Sequence, residues 1–72
     1  MEDMESKIEN WFTYHSPKEG QPAQYQAIRD AGKALAMVIL NNTPGSADQS
    51  AAIRKVREAV MTANAAIACD GR

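Results

Sequence analysis

The apolar positions of this chain recur at helical spacing in three stretches, with proline-containing breaks between them. Met4, Ile8, Trp11 and Phe12 fall at i, i+4, i+7 and i+8, one face of a short first helix. Asp3 can cap that helix, and Glu5 suits the positive end of its dipole. So short a helix is marginal alone, so its stripe must find a partner in the same chain or in another copy. Trp11 and Phe12 read either as core anchors on that stripe or as exposed stacking surfaces.

Residues 13–21 read as a loop. Ser16-Pro17 turns the backbone away from helix, because the residue before proline clashes in the α region, and Gly20 loosens it further. Pro22 then stands where a first helical residue belongs, with Gln21 before it. Over residues 22–41, Tyr25, Ile28, Gly32, Leu35 and Ile39 are spaced 3, 4, 3, 4, an a/d seam. Gly32 in that seam costs about 1 kcal/mol of helix propensity against alanine, a loss that a close helix–helix approach would explain. Asn41-Asn42-Thr43-Pro44-Gly45 makes a turn, and Ser46-Ala47-Asp48-Gln49 has the form of a capping box. Residues 47–68 carry a second seam, Ile53, Val56, Val60, Ala63 and Ile67, ended by Asp70-Gly71. Ala52, Ala59 and Ala66, with Thr62, form a row of small residues that would let another helix pack closely.

Two matched seams joined by a short turn predict an all-α fold: a short N-terminal helix plus a long antiparallel helical hairpin. The expected helices are about 3–12, 22–41 and 47–68, in one domain over residues 1–72. Pairing Ile39 with Ile53 near the turn sets Leu35 against Val56, Gly32 against Val60, Ile28 against Ala63 and Tyr25 against Ile67. The open end then gathers His15, Lys18, Tyr25, Arg29 and Asn64.

Size and composition narrow the reading. A chain of 72 residues buries little of its surface and needs additional stabilisation. Cys69 is the single cysteine, so no disulfide forms within the chain, and with His15 it makes too few soft ligands for structural zinc. Homo-oligomerisation is the remaining source. The net charge of -1 disfavours a duplex nucleic-acid binder but leaves room for a local cluster of cations. The acidic start (Glu2, Asp3, Glu5) lacks the form of a signal peptide, and the apolar run over residues 34–40 is too short for a bilayer. A soluble, cytosolic protein in a reducing compartment is expected, with no membrane partner, no cofactor and no metal.

The stretch over residues 14–29 holds both tyrosines, the single histidine, two prolines and two cations. Tyrosine offers a flat face for a base, arginine and lysine hold phosphate, and Asn64 can read a base edge or a ribose hydroxyl. The first N–H groups of the Pro22 helix would favour an anion at the same end. Each residue also has a plainer reading. Tyr25 lies on the seam and can be core, Tyr14 being the better stacking candidate. His15 can be a hydrogen-bonding loop residue, and Arg29 and Lys33 a solvated face. Arg54, Lys55 and Arg57 form a second cationic run, partly offset by Glu58. No serine–histidine–carboxylate set, carboxylate pair or glycine-rich phosphate loop is evident, so an enzyme is not expected.

Several phrases together resemble a family: Phe12-Thr13-Tyr14-His15-Ser16-Pro17, Gln21-Pro22 with Tyr25 and Ile28-Arg29, Pro44-Gly45-Ser46, Arg57-Glu58-Ala59-Val60-Met61, and Ala63-Asn64-Ala65-Ala66-Ile67-Ala68. They are similar to the small hairpin proteins with which tailed bacteriophages counter host CBASS and Thoeris defence. The resemblance implies a sponge that binds cyclic di- or trinucleotide signals without cleaving them, in the cytoplasm of an infected bacterium. Some relatives hold cyclic ADP-ribose isomers instead. It also implies a homo-oligomer, typically a hexamer built as a trimer of dimers, with pockets between subunits. It gives Tyr14 the stacking role and Arg29 or Lys33 the phosphate role. A purely structural helical oligomerisation module, or a small nucleic-acid binder using Arg54, Lys55 and Arg57, are the rival readings.

Overall fold

A computed structural model of the chain describes residues 3–71; Met1, Glu2 and Arg72 lie outside them, and with them the Glu2 part of the acidic start. Among the described residues there are three α-helices and no strand: α1 (Met4–Trp11), α2 (Gln21–Asn42) and α3 (Ala47–Ala68).

The helix starts follow from local chemistry. Asp3 is the N-cap of α1, its Oδ1 accepting from the Ser6 N–H at 2.8 Å. The Ser6 backbone bond, with a further bond from its side chain, holds the Asp3 carboxyl below its ordinary 3.8. The sign follows. Since the group binds its proton less readily folded than unfolded, the cap's contribution is fully present above pH 3.8 and is lost as pH falls through the lower, folded value. The helical chemical shifts of residues 4–11 are therefore expected to fade on acidification below that point. Asp3→Asn, which caps without titrating, should remove this acid transition; an unchanged transition would assign it elsewhere.

Ser46 caps α3, its Oγ accepting from the Gln49 N–H at 3.1 Å, as the capping-box reading requires. The reciprocal half of the box is not made. The Gln49 Nε2 instead donates to the Thr43 carbonyl (3.1 Å), the Thr43 Oγ1 (3.1 Å) and the Leu40 carbonyl (3.3 Å). The free carbonyls at the end of α2 attract the amide more than one remaining N–H does.

α2 and α3 lie side by side. Gln49 reaches Leu40 at the turn, and at the other end Gln21 Nε2 donates to the Ile67 carbonyl at 3.3 Å. Between these points Gly32 faces Val60. A Cβ built on Gly32 would stand 2.5 Å from the Val60 Cγ2, so the missing side chain is what permits the approach. Tyr25, Ile28, Gly32 and Ile39 are half-buried, and so are Ile53, Val56, Val60, Ala63 and Ile67. Leu35 is 51% exposed, yet it lines one groove with Val56, the partner expected for it, while half-buried Ala36 lines the groove on the other side.

α1 joins the others through its last turn, where Asn10 Nδ2 donates to the Cys69 carbonyl at 3.4 Å. Cys69 is the one buried residue among those described. Trp11 lines a hollow with Thr62, Ala66 and Cys69, so the indole and part of the small-residue row border the same space. The core-anchor reading fails for Phe12, which is 84% exposed. Phe12 is the C-cap of α1, where the chain leaves the helix at φ -104°. Met4, Ile8 and Trp11 are also exposed over about half or more of their area.

Candidate ligand-binding site

The loop after α1 is fixed by hydrogen bonds to both of its neighbours. Thr13 Oγ1 donates to the Glu9 carbonyl at 2.6 Å. His15 Nε2 lies 2.7 Å from the Asn10 carbonyl, and since a carbonyl only accepts, Nε2 carries the proton and donates. His15 is thereby oriented by the residue that also binds Cys69. Its Nδ1 is the nitrogen left for other contacts.

Gln21 is the second tie. Its Oε1 accepts from the Lys18 N–H at 2.8 Å, and its Nε2 binds Ile67 on α3. One side chain therefore joins the loop, the start of α2 and the end of α3. Sequence reasoning placed Gln21 only as the residue before Pro22. The one available signal was an amide at a helix start, which does not say which distant carbonyl it will meet.

Gly20 enters α2 in the left-handed region at φ 83° and caps it without a side chain. The expected anion site at this helix start is largely spent. The Gln21 N–H donates to the Lys18 carbonyl at 3.0 Å, Pro22 has no N–H, and the Gln24 N–H donates to the Gly20 carbonyl at 3.3 Å. Phosphate binding therefore has to come from side chains.

Tyr14, in the middle of the loop, is 83% exposed. Lys18 is exposed too, while Tyr25 and Asn64 are half-buried on the facing sides of α2 and α3. The Asn64 Oδ1 is buried with no hydrogen-bond partner, an acceptor that any donor reaching it would satisfy.

Arg29 and Lys33 belong to a different part of the surface. Together with Arg57 they line a groove between α2 and α3, floored by Ile53, Val56, Val60 and Met61. Arg29 donates to Gln26 Oε1 at 3.1 Å, and Gln26 Nε2 donates to Asp30 Oδ1 at 2.8 Å. The amide thus occupies the acid beside Arg29 and leaves most of the guanidinium free. The other side of the helix pair carries an apolar groove, formed by Ile28, Leu35, Ala52, Val56 and Ala59 with Lys55 at its edge.

The residues named from the sequence therefore fall into two groups. Tyr14, His15, Lys18, Tyr25 and Asn64 belong to the loop and the far end of the helix pair, whereas Arg29 and Lys33 line the groove along its flank. Among the described residues no cluster of histidine, cysteine and acid side chains could hold a metal, and no helix is long and apolar enough to cross a membrane.

Residues 4–68 match the family model described as "Acb2/Tad1, hairpin domain". No curated protein and no solved structure matches the chain.

Proposed function

The chain belongs to the Acb2/Tad1 hairpin-domain family of anti-CBASS and anti-Thoeris sponges, and from that premise we propose that it is a bacteriophage protein that sequesters the host's cyclic di- and trinucleotide signals. It binds them without cleaving them, blocks CBASS immunity by stoichiometric capture, and acts in the cytoplasm of the infected bacterium. The observation that carries this reading is family membership over residues 4–68. An exposed tyrosine at a loop held in place from both sides supports it, since a base needs an accessible aromatic face. So do the cations Arg29 and Lys33 over an apolar floor.

The antiparallel hairpin works as a homo-oligomer in this reading, as a hexamer assembled from three dimers. Support comes from the large exposed side chains: Met4, Leu35 and Met61 are each more than half exposed, more apolar surface than so small a chain keeps in water without a partner. Pockets between copies would supply the enclosure that a single helix pair lacks. The second reading, a sponge for the cyclic ADP-ribose signals of Thoeris, draws on the same family membership.

Calorimetric titration with a panel of cyclic di- and trinucleotides and cyclic ADP-ribose isomers tests both. Tight binding is expected, with intact ligand recovered after heat denaturation of the complex. Recovery of a cleaved product would overturn sequestration. Binding to none of the panel would leave a structural oligomerisation module.

A further inference from the structure

We infer that Asp70 is a self-modification site: its side-chain carboxyl and the Gly71 amide close to a succinimide that reopens as isoaspartate, at a rate set by the turn that ends α3. Asp70-Gly71 is the single aspartate–glycine step in the chain, and both residues are exposed. Gly71 has no Cβ to hinder the approach of its nitrogen to the Asp70 Cγ.

Two hydrogen bonds make the turn. The Gly71 N–H donates to the Ala66 carbonyl at 2.9 Å, and the Asp70 N–H to the Ile67 carbonyl at 3.2 Å. This pattern usually places glycine at the left-handed position, but here Asp70 holds it, at φ 56°. A side chain is disfavoured there, which lowers the cost of opening the turn. While the turn is closed, Ala66 engages the N–H that must lose its proton. Asn10 of α1 braces the same end, its Nδ2 donating to the Cys69 carbonyl at 3.4 Å.

Water is the only reagent the steps need. The Gly71 nitrogen bonds to the Asp70 Cγ and gives up its proton, which leaves with the hydroxyl of the protonated carboxyl as water. A second water attacks the main-chain carbonyl carbon of Asp70 and breaks its bond to the Gly71 nitrogen. The chain then runs through Cγ, one methylene longer and unchanged in composition. That longer link does not fit the two-bond turn. Gly71 borders the same hollow as Trp11 and Cys69, so the change reaches the end of α1.

The test ages the full chain in warm neutral buffer, with and without denaturing guanidinium chloride. Isoaspartate is measured with an isoaspartyl methyltransferase and by fragmentation of the tryptic peptide over residues 58–72. Product at residue 70 is expected in the folded protein, forming about tenfold or more slowly than in the denatured one, since only the opened turn reacts. Asn10→Ala should raise the folded rate severalfold with helical content unchanged. Asp70→Glu should abolish the product, because the larger ring closes far less readily. Trp11 emission should move to longer wavelength in step with the product, and stay constant in Asp70→Glu. Equal rates in folded and denatured chains would overturn the inference. So would a folded chain that stays unmodified after the denatured one has converted, or a rate that Asn10→Ala leaves unchanged.

Discussion

Gly32→Ala is expected to destabilise the helix pair, although alanine is the better helix former by about 1 kcal/mol. The added methyl would stand 2.5 Å from the Val60 Cγ2, well inside contact distance. Val60 cannot easily yield. Its β-branched side chain has one strongly preferred rotamer in a helix, and it is half-buried against α2. Overpacking of this kind costs roughly 1–3 kcal/mol, so after the gain in helix propensity the net loss should be about 1 kcal/mol and at most about 2. Gly32→Leu should lose more, because its extra carbons meet the same wall. Urea unfolding at one fixed protein concentration measures both, since stability in an oligomer depends on concentration. Combining Gly32→Ala with Val60→Ala should recover part of the loss, a coupling that independent sites would not show. A more stable Gly32→Ala protein would mean that the helices do not touch here.

Tyr14→Ala should weaken binding of a cyclic dinucleotide roughly ten- to hundredfold, from the 1–3 kcal/mol that base–aromatic stacking contributes. At 83% exposure the ring packs little within its own chain, so helical content should not change. Tyr14→Phe keeps the stacking face and should stay near the parent affinity. Calorimetry on the three proteins separates the outcomes. An unchanged dissociation constant in Tyr14→Ala would remove the tyrosine from the site.

Much of the fold was legible because its boundaries are set by single residues acting locally. Asp3, Pro22, Pro44 and Ser46 mark helix starts and the turn within a residue or two of where they occur. The Gly32–Val60 contact was legible for a related reason: a glycine in an apolar seam needs an explanation, and a facing helix supplies one. Phe12 stood open between core anchor and exposed surface, because an apolar stripe says which residues share a face, not how far along it the partner extends. The side-chain amides Asn10, Gln21 and Gln49 were hardest to foresee. Each binds a backbone carbonyl, and every residue has one, so sequence offers no preference among them. Arg57 was assigned to a separate run with Arg54 and Lys55, because neighbours in sequence look like neighbours in space. On a helix they diverge, and Lys55 borders the opposite groove.

The amide tie at the turn also orders events in time. Gln49 and Leu40 are 9 residues apart, whereas Asn10 and Cys69 are 59 apart. Closing the longer loop costs about 1.7 kcal/mol more in chain entropy, by the logarithmic dependence on loop length. The helix pair therefore zips from its turn, and the end that carries the tyrosine loop is the last to close and the first to fray. In the sponge reading, a base stacked on Tyr14 would act as a clasp on the end of the chain that closes last.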